Sequence, residues 1–562
     1  MNEDNMQTLA QLCLSASEKY SNKPAFAMFS DGYACRQVSY TQLGNLARQI
    51  GMLLRKIGVE NGSRVLLLSE NNPEWPLAYF GIAFAGAVSV PLLTGFSTEQ
   101  IHNIINHSKA SAICASRAVI EKFSEAETLQ DGCSISQNES RFIQSFLKMP
   151  VLVIDSITGG DYTPEISVIL NGVEKQISLH PVKECINYSS NNPEALASII
   201  YTSGTQGNSK GVMLSSKNLV SSALASLAFG KFYPSDVMLS VLPLAHSYEC
   251  SIGFLAPVMS GSSIFYLDRP PSPTVLLPAL EVLRPTVMAT VPLLIEKIYR
   301  NAIAPKLYKN ILYKFVPLRR IAYWFAGRRL HSALGGRIRL FGIGGAPLSP
   351  EVEKFLYYAR FPYTIGYGLT ETAPLIAGNT PLYFKYGSGI AAAKDVKVRI
   401  AKANIDTDEG EIQVKGPNVM LGYYDDLERT SDTFTKDGWL KTGDLGRIDK
   451  KGNLHIRGRL KALILSPSGE NIYPEEIEGL LGSSQLVEDA IVYSGDKGEL
   501  IAMVKLSEAA KTAAGLIETK MEELRTWVNK KLANFSRLSR IDVKEEPFEK
   551  TPTMKIKRYL YI

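Results

Sequence analysis

Cysteine and histidine are scarce in this chain, and each accounts for only six of its 562 residues. The cysteines are Cys13, Cys35, Cys114, Cys133, Cys185 and Cys250. They are scattered, without paired or metal-ligand spacing, and no cluster combines cysteine with histidine. The scarcity therefore argues against a structural zinc site.

Long apolar runs are also missing. The sequence contains no stretch of about 18 apolar residues, which is the length needed to span a membrane. The stretch MNEDNMQTLAQLCLSASEKY at the start is acidic and lacks the basic-then-apolar pattern of a secretory signal. The net charge of +6 is mild for this length and gives no reason to expect nucleic acid as a partner. With 45% hydrophobic and 21% charged residues, the composition is typical of a globular protein. We therefore expect a cytoplasmic protein.

The length and the pattern of apolar runs predict an α/β fold of at least two domains. Short β-rich runs such as RVLLLS, SIIYTS, VMLSVLP, SSIFYL and TVMATVP alternate with helix-length segments. This alternation favours parallel sheets covered by helices. The polar stretch 121–192 is interpreted as a surface insertion around one strand, Val151–Asp155. We expect a large N-terminal domain, 1–459, with a β-subdomain over 396–456, and a small α+β C-terminal domain, 460–562.

A loop rich in Gly, Ser and Thr, YTSGTQGNSKGVML, occupies Tyr201–Leu214 directly after an apolar run. Such a loop leaves backbone N–H groups free to converge on an anion, which predicts a phosphate cradle. Its spacing is not that of a P-loop, because Lys210 is followed by Gly211. The alternative is an ordinary turn after a strand, with a solvated lysine.

Three further clusters carry groups that a nucleotide site needs. GYGLTETAP contains Tyr367, Thr370 and Glu371, the segment around Asp444 contains a Thr-Gly-Asp turn, and the C-terminal KTPTMKIKRYLYI contains Lys555. Each cluster taken singly has an ordinary structural explanation as a turn, a hairpin or a solvated lysine. Together they supply an aromatic platform, a carboxylate for ribose, a carboxylate for Mg²⁺ and cations for phosphate.

These segments resemble, in order and over nearly the whole chain, the core motifs of the adenylate-forming superfamily. That superfamily includes acyl-CoA synthetases, firefly-type luciferases and nonribosomal adenylation domains. The resemblance implies a phosphate-binding loop at Thr202, Ser203, Gly204 and Thr205, with Lys210 close by. It also implies that Thr370 contacts the α-phosphate and that Glu371 is the ligand of Mg²⁺.

The resemblance assigns the remaining nucleotide contacts to three other segments. Gly344, Gly345 and Ala346 would line the adenine and the acyl group, and Tyr367, with Gly368 beside it, would stack on adenine. Asp444 would hold the ribose hydroxyls and Arg459 the ribose–phosphate side. Lys461 would be the hinge of a mobile C-terminal domain, and Lys555 would reach into the site from that domain.

Some positions depart from the family pattern without removing a reacting group. Gln206 and Ser209 replace the usual threonine and proline of the loop, Ala462 replaces an acidic residue after the hinge lysine, and Met554 replaces a glycine. The form TPT-x-K-I-K-R resembles long-chain fatty acyl-CoA synthetases. The substitutions bear on loop mobility and hinge behaviour more than on chemistry.

The resemblance implies a two-step reaction with ATP, Mg²⁺ and coenzyme A. A carboxylate first forms acyl-AMP and pyrophosphate, and the thiol of coenzyme A then displaces AMP. The motif LPLAHSYE would place His246 between the acyl tunnel and the thiol path, although a packed structural histidine is the alternative. A medium- to long-chain fatty acid is the predicted substrate. The alternatives are an acyl-AMP ligase or acyl-carrier-protein synthetase, a luciferase-like oxygenase, and a non-catalytic nucleotide sensor.

One further segment, Arg300–Arg337, has nine Lys or Arg residues and no Asp or Glu, interleaved with aromatic residues. On one amphipathic helix this pattern suits an anionic membrane surface, so we expect contact with the inner face of a membrane. The alternative is a helix whose apolar face packs on the domain while its basic rim is solvated. The oligomeric state is not predicted by any feature of the sequence.

Overall fold

The chain is described by a computed structural model that covers residues 7–128, 149–158, 164–179, 192–202, 210–379, 385–402, 408–465, 471–484, 486–495, 498–507, 510, 517–551 and 556–562. Its α-helices are Leu9–Tyr20, Tyr40–Lys56, Glu74–Phe84, Thr98–Ser108, Arg117–Thr128, Ser216–Ser226, Ala256–Ser260, Pro273–Leu283, Pro292–Ile298, Ala304–Lys309, Ile311–Lys314, Arg319–Ala333, Pro350–Tyr358, Leu427–Thr433, Pro474–Gly482 and Ile517–Asn529. None of the helices in these ranges is long and apolar enough to cross a membrane.

The strands of the first two thirds are β1 (Pro24–Ser30), β2 (Tyr33–Ser39), β3 (Arg64–Leu68), β4 (Val88–Leu92), β5 (Ala112–Ala115), β6 (Val151–Thr158), β7 (Glu165–Leu170), β8 (Val173–Ser178), β9 (Leu196–Thr202), β10 (Lys210–Ser215), β11 (Val237–Leu239), β12 (Ser263–Leu267), β13 (Val287–Thr290), β14 (Leu340–Ile343), β15 (Tyr363–Gly368) and β16 (Leu375–Asn379). The later strands are β17 (Ala391–Ala392), β18 (Lys397–Lys402), β19 (Gly410–Lys415), β20 (Gly422–Tyr423), β21 (Leu440–Ile448), β22 (Leu454–Arg459), β23 (Ile464–Leu465), β24 (Asn471–Ile472), β25 (Val487–Ser494), β26 (Leu500–Leu506) and β27 (Arg540–Lys544).

Two nine-stranded sheets form the large part of the molecule. Their strand orders are β17-β16-β15-β14-β13-β11-β12-β1-β2 and β20-β10-β9-β4-β3-β5-β6-β7-β8. The inner strands pair in parallel, and the strands at the edges of both sheets pair antiparallel. The prediction of parallel, helix-covered sheets is therefore confirmed, and antiparallel strands extend both sheets at their edges.

The two sheets share one hydrophobic core. A single cluster of buried side chains contains residues of β1, β3, β10 and β12, together with residues of the helices between them. Within it Trp75 and Tyr79 stack with ring centroids 5.1 Å apart, and both rings meet Phe254 edge-on. Because one core packs against both sheets, the carboxyl ends of their strands are held in a fixed position relative to each other. The predicted site residues follow those strand ends.

Beyond the two sheets lie a β-subdomain and a C-terminal unit. The four strands β18-β19-β21-β22 form the subdomain predicted over 396–456. The sheet β25-β26-β27 and the helices Pro474–Gly482 and Ile517–Asn529 surround a hydrophobic cluster of their own. This is the predicted small α+β unit, whereas the boundary at 459/460 and its mobility stay predictions.

The basic aromatic segment differs from its prediction. The expectation of one amphipathic helix over Arg300–Arg337 is wrong, because the backbone is extended at Asn310 and at Phe315, and Pro317 lies in the 3₁₀ turn that follows. It forms the short helices Ala304–Lys309 and Ile311–Lys314, a 3₁₀ turn at Val316–Leu318, and the helix Arg319–Ala333.

Candidate active site

Three side chains around Glu371 form a compact polar triangle. Lys210 begins β10, Tyr423 ends the neighbouring strand β20, and Glu371 lies in a 3₁₀ turn, Thr370–Thr372. The Lys210 ammonium donates to Glu371 Oε1 at 2.7 Å and to the Tyr423 hydroxyl at 2.8 Å, and that hydroxyl donates to the same Oε1 at 2.8 Å. The carbonyl of Glu371 also accepts the N–H of Met420 at 2.9 Å, so the turn is fixed to the segment that leads into β20.

The triangle keeps the carboxyl group of Glu371 ionised. Burial by itself raises the pKa of Glu371, but the charge and hydrogen bond of Lys210 outweigh burial, and the pKa is lowered from its usual value. The Lys210 ammonium also lies 4.5 Å from the centroid of the Tyr423 ring, in cation–π contact. An ionised, half-buried carboxylate beside a lysine is the pair of groups that a metal–phosphate site requires.

A second cluster joins Tyr367, Asp444 and Arg459. Asp444 on β21 and Arg459 on β22 lie opposite each other in the antiparallel register. The Tyr367 hydroxyl donates to one oxygen of Asp444 at 2.7 Å, and Arg459 Nε lies 3.1 Å from the other. Burial and then the charge of Asp444 raise the pKa of Tyr367 well above its usual value, so it stays a phenol. The ring and the carboxylate are thus held at fixed positions beside one another.

Two glycines in this region are required by close approach. Gly344 follows β14, and a Cβ there would lie 3.2 Å from the Tyr248 ring and 3.4 Å from the Gly366 carbonyl oxygen. A Cβ on Gly368 would lie 1.7 Å from the carbonyl oxygen of Pro374, which accepts the N–H of Leu369 at 3.0 Å. The close approach of Pro374 therefore explains why position 368 is a glycine, independently of any ligand. Gly345 and Ala346 lie exposed beyond Gly344.

His246 lies close to this turn and to the glycine wall. The neighbouring Ser247 hydroxyl donates to Thr370 Oγ1 at 3.4 Å, and the ring of Tyr248 faces Gly344. His246 Nδ1 accepts the N–H of Tyr248 at 3.2 Å, so a neutral imidazole carries its proton on Nε2. The segment that carries His246 therefore contacts both the Thr370 turn and the strand that leads to Gly344.

Several predicted residues lie outside the described ranges. These are Ser203, Gly204, Thr205 and Lys555. Thr202 is described at the end of β9, in register with Lys210, and within the described ranges its buried hydroxyl has no hydrogen-bond partner. Lys461 is exposed in the 3₁₀ turn Leu460–Ala462, between β22 and β23. Its role as a hinge stays a prediction.

An apolar cavity adjoins these residues. It lies between the end of the helix Ser216–Ser226 and the strands β11, β13, β14 and β15. Tyr248, Gly342 and Gly366 line the end that faces Gly344, while Gly230 and Leu340 line the opposite end. Its lining is almost entirely apolar. The cavity suits a chain of methylene groups.

Below the Gly230–Leu340 end, a polar cluster closes the sheet. Arg339 Nε donates to Asp236 at 2.8 Å, and Thr286 donates to the same carboxylate at 2.7 Å. The Arg339 guanidinium also lies 4.5 Å from the centroid of the Tyr233 ring. Asp236 is 3% exposed. Leaving the buried Asp236 carboxylate without these partners would be costly, so the cavity has a firm floor.

Comparison with known proteins agrees with this geometry. The family model described as AMP-binding enzyme matches residues 14–424. This chain belongs to the AMP-binding enzyme family. It is 30% identical to the peroxisomal long chain acyl-CoA synthetase 7 of Arabidopsis thaliana, over 93% of this chain and 79% of that protein. It is 27% identical to the 4-coumarate–CoA ligase of Vanilla planifolia, over 98% and 92% of the two chains.

The structure of the Bacillus subtilis o-succinylbenzoate coenzyme A synthetase with ATP and magnesium ion has the same fold. It superposes with a TM-score of 0.72 at 22% identity, covering 98% of both chains. The predicted α/β fold and the resemblance to AMP-forming acyl-CoA ligases are confirmed. The chain is thus an AMP-forming acid–thiol ligase of the AMP-binding family, and the identity of its acid is a finer question.

Two residues of the site went unnoticed in the sequence. Tyr423 belongs to no motif that predicts a partner for Glu371, and only the pairing of β10 with β20 brings it there. Glu249 ends the segment LPLAHSYE and is fully buried, with one oxygen accepting from Ser240 at 2.5 Å. Burial raises the pKa of Glu249 to about 8, against the smaller opposing effect of that hydrogen bond. The one acidic residue of this motif is the signal by which the sequence could have identified Glu249.

Glu249→Gln should make the stability of the protein less dependent on pH. A carboxyl whose folded pKa is raised costs nothing while it is protonated in both states, and it destabilises the fold as pH rises from the unfolded pKa towards about 8. Between about pH 5 and pH 8 the free energy of unfolding of the wild type should fall by on the order of 3 kcal/mol relative to that of the glutamine variant. Denaturant unfolding at the two pH values measures this difference. The exposed Glu281→Gln is the control for replacing a carboxyl with an amide elsewhere. The same dependence of stability on pH in wild type and Glu249→Gln would contradict a raised pKa of Glu249.

Proposed function

We propose that this protein activates a medium- to long-chain fatty acid with ATP and transfers the acyl group to coenzyme A. The fatty acid carboxylate attacks the α-phosphorus of ATP, the bond to the bridging oxygen breaks, and pyrophosphate leaves. The thiol of coenzyme A, losing its proton, then attacks the acyl carbonyl, and AMP leaves. The observation that carries the proposal is the apolar cavity that opens beside Gly344 and next to the Tyr248 segment.

The residues around Glu371 fit a magnesium–ATP complex. Mg²⁺ takes oxygen ligands and usually binds through one or two carboxylates plus phosphates and water. Glu371 supplies an ionised carboxylate, Lys210 a cation next to it, and Thr202 a hydroxyl on the paired strand. The metal would supply charge neutralisation on the phosphates. Lys210 would hold the phosphates and orient the carboxylate of Glu371.

The roles of the other residues follow from their contacts. Asp444 would accept from the ribose hydroxyls, held in place by Tyr367 and by Arg459 on the ribose–phosphate side. Tyr367 and Gly368 would form one side of the adenine site, and Gly344, Gly345 and Ala346 the other. Thr370 would contact the α-phosphate, and the Nε2 proton of His246 would face the path between acyl chain and thiol. Ser203, Gly204 and Thr205 would complete the phosphate loop.

A change of orientation between the two steps would use the turn Leu460–Ala462. Lys555 would serve the first step, and its removal from the site would leave room for the thiol in the second. The C-terminal unit has its own hydrophobic cluster, so it could move as a body about Lys461. The four described free thiols, Cys13, Cys35, Cys114 and Cys250, suit the cytoplasmic location predicted from sequence.

The floor of the cavity would set the length of the acid. From Gly344 to Leu340 the strand spans roughly 13 Å, at about 3.3 Å per residue. An extended chain advances about 1.25 Å per carbon, given bonds of about 1.5 Å at about 111°. An acyl chain laid along this strand would reach from Gly344 to Leu340 with about ten carbons, which places the preferred acid at the medium-chain end of the proposed range.

ATP–pyrophosphate exchange with a series of fatty acids tests this function. With Mg²⁺ and labelled pyrophosphate, exchange should require the acid and peak near ten carbons. Leu340→Ala should move the peak to longer acids by about two carbons, because the side chain that it removes spans about 2.5 Å. Gly230→Ala should move it to shorter ones, since its Cβ would lie 2.5 Å from the Leu340 methyl groups.

Leu334→Ala is the control, because Leu334 is a buried leucine that packs in the cluster on the opposite face of the sheet. It should lower the melting temperature without moving the peak. No exchange with any carboxylate would contradict the function and favour a nucleotide sensor. Exchange whose preferred acid length is the same in both variants as in the wild type would contradict only the role of Leu340 and Gly230 in setting that length. AMP release that depends on holo-acyl carrier protein and not on coenzyme A would identify the carrier-protein alternative.

A further inference from the structure

An exposed apolar surface lies on the segment between Ile311 and Phe325. Residues 314–321 are all exposed, and half of them are apolar. The apolar surface, named here the 311–325 patch, is formed by Ile311 (68% exposed), Phe315 (59%), Val316 (68%), Leu318 (37%), Ile321 (45%), Trp324 (37%) and Phe325 (52%). An exposed run of this kind is rare in soluble folds unless it contacts something.

The opposite side of the same helices is anchored in the core. Ala322, Tyr323 and Leu330 are buried in the cluster that includes Phe341 and Phe355. Arg319 Nε donates to the carbonyl of Tyr313 at 2.9 Å, which ties the 3₁₀ turn to the preceding helix. Packing on the domain thus accounts for the inward side chains, while those of the patch point away on a preformed support.

The patch is surrounded by positive charge. Within the fully described segment 300–337, the nine basic residues face no acidic residue of the segment, and only Arg300 has an ion pair, with Glu296. Arg328 lies 5.1 Å from the Trp324 ring centroid and Arg320 5.0 Å from that of Tyr358, so both guanidinium groups lie against aromatic rings at the rim. The patch is therefore a basic-rimmed apolar face.

We propose that the 311–325 patch docks this protein on an anionic lipid bilayer. Aromatic and aliphatic side chains on a basic support enter the boundary between headgroups and acyl chains, and Lys and Arg attract the anionic headgroups. Each charge near such a surface raises the partition coefficient about fivefold. A second copy of the chain is a poorer occupant, because a twofold contact through this face would bring two clusters of positive charge together.

The patch and the acyl cavity lie on opposite faces of one sheet. Tyr323, Leu330 and Phe341 of β14 belong to one buried cluster, whereas Leu340 and Gly342 of the same strand line the cavity. Variants of the patch should therefore leave turnover of soluble acids unchanged. The proposal does not depend on the proposed acid, because lipid binding is measured without catalysis.

Cosedimentation with vesicles tests the proposal. The purified full chain should bind vesicles of phosphatidylcholine with 30% phosphatidylglycerol at least tenfold more tightly than vesicles of phosphatidylcholine alone. Raising salt should weaken binding, since screening shortens the electrostatic reach to about 10 Å at 0.1 M. The triple variant Phe315→Ser, Val316→Ser, Phe325→Ser should lose at least tenfold in affinity even at low salt. The variant Arg319→Gln, Arg320→Gln, Arg328→Gln, Arg329→Gln should lose a similar factor and its salt dependence.

Matched controls distinguish an effect of the 311–325 patch from the effect of removing exposed apolar or charged side chains elsewhere. Leu277→Ser with Val282→Ser removes two apolar side chains of similar exposure, 58% and 54%, from another helix. Replacing Lys397, Lys436, Lys450 and Lys451 with glutamine removes four exposed charges elsewhere. Neither control should change vesicle binding, and melting temperature should confirm that every variant is folded.

Equal losses in patch and control variants would overturn the proposal, as would absence of binding to anionic vesicles by the wild type. A wild-type dimer in light scattering that the triple variant abolishes, without vesicle binding, would instead assign the patch to a second copy. Quenching of Trp324 fluorescence by brominated acyl chains, lost when Trp324→Phe is tested, would place the patch itself within the bilayer.

Discussion

Glu371→Gln is expected to lower fatty-acid-dependent ATP–pyrophosphate exchange by a factor on the order of 10²–10³. The substitution keeps the shape of the side chain and removes the one negative charge of the Lys210–Glu371–Tyr423 triangle. An amide is a weaker ligand for Mg²⁺ than a carboxylate, so the variant should also need a higher magnesium concentration for half-maximal exchange. Exchange measured across a magnesium titration gives both quantities.

The loss should not depend on pH over the neutral range. The pKa of Glu371 is lowered in the folded protein, so its charge is present above the ordinary range of the group and is lost only as pH falls below it. The ratio of wild-type to variant exchange should therefore be constant between about pH 6 and pH 8. A ratio that collapsed towards one at the acidic end would contradict the lowered pKa.

Two variants separate chemistry from stability. Tyr423→Phe removes one hydrogen bond to Glu371 but keeps the ring against Lys210, and it should lower exchange by no more than about tenfold. Glu371→Gln leaves the Lys210 cation without its partner, which lowers stability. Adding Lys210→Met should restore the melting temperature without restoring exchange. Exchange within threefold of wild type in Glu371→Gln would refute the role of this carboxylate.

The parts of the fold that were predictable are those with strong local patterns. The parallel strands β3, β9, β12 and β13 coincide with apolar runs, and such strands are recognisable because both faces are buried. The strands β7 and β8 were missed. β8 has four exposed residues in a row at the edge of its sheet, so its composition resembles that of a surface insertion. The interpretation of 121–192 as an insertion around one strand is therefore wrong in that β6, β7 and β8 all extend the sheet.

Contacts made by single residues at a distance were beyond the sequence. The pairing of Asp444 with Arg459 depends on a register between β21 and β22, and the floor at Leu340 depends on the close approach of Gly230, which lies far away in the sequence. The basic aromatic segment shows the converse error, since a compositional pattern suggested one helix where extended residues at Asn310 and Phe315 divide it. Motifs identify which residues carry chemistry, whereas burial and register decide what those residues contact.

Lys555→Ala is expected to lower the adenylation half-reaction by about 10²–10³-fold and to leave the second half-reaction within about tenfold of wild type. A cation aimed at the transferring oxygens contributes only while negative charge develops there, which happens in the first step. The displacement of AMP by a thiol needs no such cation at the same place. Adenylation is measured as pyrophosphate exchange, and the second step as thioester formed from preformed acyl-AMP and coenzyme A.

Lys557→Ala provides a matched control two residues further along the same C-terminal segment. Lys557 pairs with Glu549 at 3.2 Å on the surface of the C-terminal unit, and a surface ion pair of this kind contributes little to stability. Its loss should change neither half-reaction. A similar fall of both half-reactions in Lys555→Ala would point to damage of the C-terminal unit, and a fall in the second step alone would assign Lys555 to the thiol path. Only a selective loss of adenylation is compatible with a lysine that serves one of two alternating arrangements, because its charge would then be absent from the site when the thiol enters.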